Sequence, residues 1–133
     1  MYSHVTFGCS DLEQATDFYD SVFGELGFER RPVSPDGGPA SACWVPAGKS
    51  LPRFYAYIPF DGKTATPGNG NMVAFSASSR EIVDAAYKVA LMAGAKDEGA
   101  PGERIHYGVG YYGAYFRDLD GNKIHVVYRG DIE

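Results

Sequence analysis

Apolar residues at Ala15, Phe18, Tyr19, Val22 and Leu26 recur at helical spacing, and Val83, Ala86, Tyr87, Ala90 and Leu91 make the same stripe further along the chain. Each stripe follows a short segment of period two. Val5 and Phe7 alternate with His4, Thr6 and Gly8, while Val73, Phe75 and Ala77 alternate with Met72, Ala74 and Ser76. This pattern predicts two strands whose apolar side faces the helices. Between strand and helix stand Ser10-Asp11-Leu12-Glu13 and Ser78-Ser79-Arg80-Glu81, each a Ser with Glu three residues later, which predicts capping boxes starting at Ser10 and Ser78. Gly27 and Gly94 stand where a left-handed residue ends a helix, so the first helix is expected to run from Asp11 to Leu26.

The two copies lie at one constant offset of 68 positions, which pairs Val5 with Val73, Phe7 with Phe75 and Tyr19 with Tyr87. The chain therefore reads as an internal repeat. Further strands are expected over Ala42 to Pro46, Arg53 to Ile58, Tyr112 to Arg117 and Lys123 to Tyr128, all rich in aromatic or β-branched residues. Asp118-Leu119-Asp120-Gly121-Asn122 joins the last two as a hairpin turn. The stretch from Pro59 to Gly70 is rich in Gly, Pro and Thr and suits a surface linker. Each half is thus strand, helix, then about three strands. The expected organisation is one α+β domain over 1–133, with module 1 at 1–60, a linker at 61–69 and module 2 at 70–133.

At 133 residues the chain can bury a core without staples, and the two halves must share it. Twelve Lys plus Arg against seventeen Asp plus Glu give a net charge of −5 with no basic cluster, which argues against a nucleic-acid partner. No apolar run is long enough to span a bilayer, and the first residues read as a strand and not as a signal sequence, so a cytoplasmic protein is expected. Cys9 and Cys43 lack metal-ligand spacing and sit in apolar, strand-like contexts, as reduced structural thiols do. Gly108-Val109-Gly110-Tyr111-Tyr112-Gly113 spells a dinucleotide-binding pattern but leads into a strand, where no helix N-terminus awaits a pyrophosphate.

The opening His4-Val5-Thr6-Phe7 with its Ser10 to Glu13 cap and Phe18-Tyr19, together with the closing Tyr115-Phe116-Arg117-Asp118-Leu119-Asp120-Gly121-Asn122-Lys123-Ile124, resembles the vicinal oxygen chelate superfamily. That group includes glyoxalase I, bleomycin-resistance proteins, fosfomycin-resistance transferases and extradiol dioxygenases. The resemblance spans essentially the whole chain. It implies two βαβββ modules whose strands form a curled, eight-stranded mixed sheet around a cleft, commonly completed as a homodimer. It also implies a divalent metal, Zn, Ni, Fe or Mn, held by first-strand and last-strand residues of each module. Carried over, those positions are His4, Met72, His125 and Tyr55, where metal-using relatives typically have His at the Met72 place and Glu at the His125 place. Only His4 and His125 are good donors, since a thioether suits these metals poorly.

His4 reads either as a ligand-facing residue or as a hydrogen-bonded strand end. The pleat puts His125 with Lys123 and Val127, away from the helix-covered side, which favours a cavity-facing role over a buried structural one. Tyr55 and Tyr57 on the same face, with Tyr115 and Met72, predict an aromatic pocket lining. Asp97 to Gly110 and Pro32 to Ser41 are long connections that are either binding loops or plain surface loops, and the first carries Arg104, a candidate for an anionic ligand group, and His106, a candidate third imidazole. Two functions stay open. One is a metal-free protein binding a small organic ligand, cationic or aromatic, in an acidic aromatic cleft; the other is a divalent-metal-dependent lyase, isomerase or dioxygenase of the glyoxalase type. The binding protein is the favoured reading.

Overall fold

The computed structural model describes residues 1–132. Module 1 contains β1 (His4–Gly8), α1 (Leu12–Leu26), β2 (Phe28–Arg31), β3 (Ser41–Pro46) and β4 (Arg53–Tyr57); module 2 contains β5 (Val73–Ser76), α2 (Arg80–Met92), β6 (Lys96–Glu103), β7 (Tyr111–Arg117) and β8 (Lys123–Arg129). Each module is βαβββ and forms its own four-stranded sheet, ordered β1-β4-β3-β2 in the first and β5-β8-β7-β6 in the second. The first strand of each sheet runs parallel to the last, and the other pairings are antiparallel. The α+β fold of two βαβββ modules is therefore present. No helix among the described residues is long and apolar enough to cross a membrane.

Both helix starts differ from expectation by one residue. The N-caps are Asp11 and Ser79, whose side-chain oxygens accept the N–H groups of Gln14 and Ile82 at 3.0 and 3.2 Å. Ser10 is engaged elsewhere: its hydroxyl accepts the Ala65 N–H at 3.0 Å, and its own N–H donates to Asp120 Oδ1 at 2.9 Å. The caps nonetheless keep the offset of the repeat. Gly27, at φ 81°, takes the left-handed conformation that ends α1. At the end of α2 the Ala95 N–H returns to the Ala90 carbonyl at 2.9 Å across Gly94, φ 103°, closing a Schellman turn.

The segment from Asp97 is a strand for its first half, not a loop. β6 pairs with β7 through two register shifts, between Asp97 and Gly99 and between Gly99 and Gly102. Its sequence, KDEGAPGE, has no period-two alternation, so the strand was invisible to hydrophobic patterning. β2, FERR, is a short edge strand hidden for the same reason.

One aromatic core serves both modules. Phe23 of α1 packs on Trp44, Phe54 and Phe28 of its own module and on Phe75 of β5, with ring centroids 5.0 to 5.6 Å apart. Phe18 of α1 reaches Phe116 of β7 at 6.4 Å. α2 packs against α1 and offers Val83, Ala86 and Ala90, small side chains that leave no solvent-exposed surface. Cys9 and Cys43 are free, buried thiols, and burial followed by the neighbouring Asp120 pushes the Cys9 pKa up to about 11.

The hairpin turn after β7 is pinned to module 1 by a buried polar network. Asp118, 6 % exposed, accepts the Tyr19 hydroxyl, the Asn122 amide at 2.9 Å and the backbone N–H groups of Asp120 and Asn122, both at 2.9 Å. Asn122 also donates to the Gly8 carbonyl at 3.0 Å. Burial raises the Asp118 pKa, and these donors oppose that rise by favouring the carboxylate. Removing one charge-assisted donor from this network should cost about 1.5 to 3 kcal/mol. Tyr19→Phe is therefore expected to lower the urea unfolding midpoint without changing the slope, and Asn122→Ala to lower it at least as much; an unchanged midpoint in Tyr19→Phe would mean that the turn is not what joins the modules.

Candidate functional site

The helices cover one face of each sheet, so the opposite faces hold the chemistry. Strand register makes the two faces comparable position by position. Val5 lies opposite Phe54 and Val73 opposite Ile124, so Tyr55, paired with Thr6, occupies the place of His125, paired with Ala74. On their other side Tyr55 pairs with Cys43 and His125 with Tyr115.

His125 is 1 % exposed and fully committed to its surroundings. Its Nδ1 lies 2.9 Å from the Ala114 carbonyl and its Nε2 lies 2.8 Å from the Tyr111 hydroxyl. A carbonyl only accepts, so Nδ1 carries the proton and Nε2 accepts from Tyr111. The ring lies flat on Tyr115, centroids 4.0 Å apart and planes 9° off parallel, and is stacked with Tyr111 at 5.8 Å. Gly113 makes this possible: a Cβ there would stand 2.4 Å from His125 Cε1. Burial lowers the His125 pKa below 6.5, and the cations Arg104 and Lys123 push the same way, against the Ala114 bond. The pleat does turn His125 away from the helices, but the cavity it was expected to face is roofed by tyrosines.

The residues above it make a cationic aromatic surface. Tyr115 has the Arg104 guanidinium 5.7 Å and the Lys123 ammonium 5.3 Å from its ring centroid. Arg104 is held there by donating to the Ala100 carbonyl at 2.9 Å, in space left by Gly102, where a Cβ would stand 2.9 Å from Nη1. His106 packs on Tyr107 at 4.1 Å and Tyr107 on Tyr111 at 5.1 Å, which extends the ring system to the turn beyond β6. Arg104, His106, Tyr107, Tyr115, Lys123 and Met72, with Glu98, line a cavity of about 360 Å³. Glu98 is paired with Arg117 at 2.6 Å, which holds its carboxyl below the usual range with smaller help from Lys96 and Lys123, so Arg104 and Lys123 stand against one carboxylate that is already bound to a third cation. The binding-protein reading expected an acidic, aromatic cleft for a cationic or aromatic compound; this cavity is aromatic but carries more cations than carboxylates.

The expected site residues thus divide between two places. Met72, Arg104, His106 and Tyr115 share the cavity of the second sheet, over His125. His4, Tyr55 and Tyr57 gather on the first sheet, where His4 meets Tyr55 edge to face at 5.5 Å and Tyr55 lies 5.5 Å from Tyr57. Tyr55 and Tyr57 line a separate cavity that has no residue in common with the other. Tyr107, Tyr111, Lys123 and Gly113 were not among the expected site residues, although Tyr107 lies in the long second connection and Lys123 on the His125 face. Tyr111 and Gly113 belong to the discarded glycine pattern, whose role is to pack a histidine and not a phosphate.

These side chains do not fit a Lewis-acid metal. Both nitrogens of His125 are taken, His4 Nδ1 is bonded to the Ser3 hydroxyl at 3.1 Å, Tyr55 accepts from Arg53 Nη1 at 3.3 Å, and Met72 brings a thioether. Among the described residues no group of three or more His, Cys, Asp or Glu side chains converges.

Comparison with known proteins agrees with this architecture. The family profile described as Glyoxalase/Bleomycin resistance protein/Dioxygenase superfamily matches residues 2–126. A crystal structure of a glyoxalase/bleomycin resistance protein from Albidiferax ferrireducens is similar at 37 % identity and a TM-score of 0.79, over 97 % of this chain and 98 % of that one. A glyoxalase/bleomycin resistance protein/dioxygenase family enzyme from Burkholderia phytofirmans shares the fold at 22 % identity and a TM-score of 0.70, over 95 % and 96 % of the two chains. A glyoxylase/bleomycin resistance protein/dioxygenase domain from Frankia does so at 18 % identity and a TM-score of 0.73, over 96 % of each chain. No curated protein matches the chain. Two βαβββ modules, one shared core and a family profile over nearly the whole length lead to the same conclusion: the chain belongs to the glyoxalase/bleomycin resistance protein/dioxygenase superfamily.

Proposed function

We propose that this protein binds a small, planar organic anion on the outer face of the second sheet and does so without a metal. The observation that carries the reading is the Tyr115 ring, backed by His125 at 4.0 Å and flanked by the cations Arg104 and Lys123. A flat ligand gains from a preformed aromatic surface, and an acidic group on it gains from two cations beside a single cavity carboxylate, Glu98, whose hydrogen bond is already made to Arg117. The donor set described above argues against the metal-dependent enzyme. The buried His125 keeps the tyrosine layer rigid and leaves Nε2 unable to serve as a ligand while Tyr111 holds it.

The same reading includes a second copy of the chain. β1 and β5 are outer strands of their sheets, and between them runs an apolar groove of about 750 Å³ lined by Val5, Phe28, Phe54, Val73 and Phe75, with Met1, Tyr2 and Met72 exposed beside it. Open edges beside apolar surface favour pairing with another chain, and a closed two-fold dimer is the commonest outcome. Sedimentation velocity at micromolar concentration is expected to give a dimer; a monomer at all concentrations would remove this part of the reading.

Binding is tested with 2-naphthoate as probe, followed by the ring resonances of Tyr115 and Tyr107. Saturable binding is expected, unchanged by a chelator. Tyr115→Ala and Arg104→Gln should each weaken it about tenfold or more, the size expected for one stacked ring or one charge-assisted contact. Loss of binding on chelation would overturn the metal-free reading, and equal affinity in both variants would move the site elsewhere.

The neutral His125 has a consequence for pH. Its folded-state pKa lies below 6.5, so the native state binds fewer protons than the unfolded chain as pH falls below that value. Its contribution is present above the unfolded pKa and is lost as pH falls through the folded one. Urea midpoints measured across this range should fall with acidification, and the fall should be smaller in His125→Gln; parallel curves would show that His125 does not titrate on unfolding.

A further inference from the structure

The exposed face of the first sheet carries a different chemistry at equivalent positions. Along one cross-strand row Arg31 pairs with Cys43 and Cys43 with Tyr55, where the second sheet has Tyr115 in place of Cys43 and His125 in place of Tyr55. A thiol instead of a tyrosine leaves a hollow of about 300 Å³, and Arg31 and Arg53 line it together with the Tyr55 and Tyr57 side chains and Ser34. Arg53 donates through Nε to the Ser50 carbonyl at 3.1 Å and through Nη1 to the Tyr55 hydroxyl at 3.3 Å. A guanidinium has five N–H donors, so most of its fork remains available. Among the described residues neither Arg31 nor Arg53 has an acidic side chain within ion-pair distance, although Arg30, Arg80, Arg117 and Arg129 all do. The one carboxylate at the hollow, Asp36, is turned to the Gly38 N–H at 2.8 Å. Both guanidinium charges reach the buried Cys43 thiol, where they oppose the effect of burial on its ionisation.

Two guanidinium groups without an ion-pair partner, phenol hydroxyls and a serine make one small, polar hollow rich in donors, and its single carboxylate, Asp36, is turned to a backbone N–H. From this geometry we infer that the first module binds a phosphate-type oxyanion, either free phosphate or the phosphate of a small monoester, at Arg31 and Arg53. A tetrahedral dianion accepts from two forks at once, which a single carboxylate does less well, and Arg is the side chain suited to it. The site is independent of the second-sheet cavity, with which it shares no residue.

The test is calorimetric titration of the full chain with inorganic phosphate and with ethyl phosphate, a monoester that offers no ring to the second-sheet tyrosines, at fixed ionic strength in chloride. Saturable binding is expected, about tenfold weaker in Arg31→Gln and in Arg53→Gln, partly restored in Arg31→Lys, and unchanged in Arg104→Gln. Arg31 is exposed, so its variants keep the fold, which thermal unfolding checks. Tighter binding of ethyl phosphate supports the site with a monoester as its ligand, and equal affinity supports it with free phosphate. Absence of saturable binding, displacement by chloride at equal concentration, or weakening by Arg104→Gln instead of the Arg31 and Arg53 variants would overturn the inference.

Discussion

The aromatic face of α1 holds this molecule together, and half of what it touches belongs to the other module. Phe18 reaches Phe116, Phe23 reaches Phe75, and the Tyr19 hydroxyl donates to Asp118 in the turn between β7 and β8. A buried carboxylate is costly unless its lone pairs are filled, and Asp118 is filled from both sides of the repeat boundary. That requirement fixes where the modules sit. With both helices and the shared core on one side, each sheet is left with its other face free, and both candidate sites lie there.

The repeat was legible because it rests on local physics. The stripe of Phe18, Tyr19 and Val22, its counterpart at Ala86, Tyr87 and Ala90, and the terminators Gly27 and Gly94 each obey helical spacing on their own. Caps were legible to within one residue, since several oxygens stand side by side at Ser10, Asp11, Ser78 and Ser79 and only tertiary contacts choose among them. Ser10 is claimed by Ala65 and Asp120, residues far away in sequence. The strands missed, β2 and β6, are edge strands whose residues face water on at least one side, so no alternation was there to read.

The site was only half legible for a related reason. Alternation in β8 correctly puts His125 opposite Ile124 and Val126, but direction is not exposure. Whether a side chain pointing from a sheet meets solvent depends on what the neighbouring strand lays over it, here Tyr111 and Tyr115 with Gly113 making room. A glycine in a strand is a signal of close approach, and Gly113 could have been read that way. The division of the candidate residues between two sheets was beyond sequence reasoning, because periodicity describes each strand and says nothing about which cavity two strands share.

Net charge describes neither cavity. A total of −5 described the whole surface, whereas a cavity feels its own few groups at short range and through little water. At the second sheet Glu98 is paired with Arg117 and faces Arg104 and Lys123; at the first, Asp36 is turned to the Gly38 N–H and faces Arg31 and Arg53. The excess carboxylates lie elsewhere, at helix starts such as Glu13 and Glu81 and in ion pairs such as that of Asp131 with Arg129. The two modules are equivalent frames, and different residues at matching places, Cys43 against Tyr115 and Tyr55 against His125, give them different surfaces. The same strand pairing therefore supports a flat aromatic bed in one module and a donor-lined hollow in the other, with cations governing both.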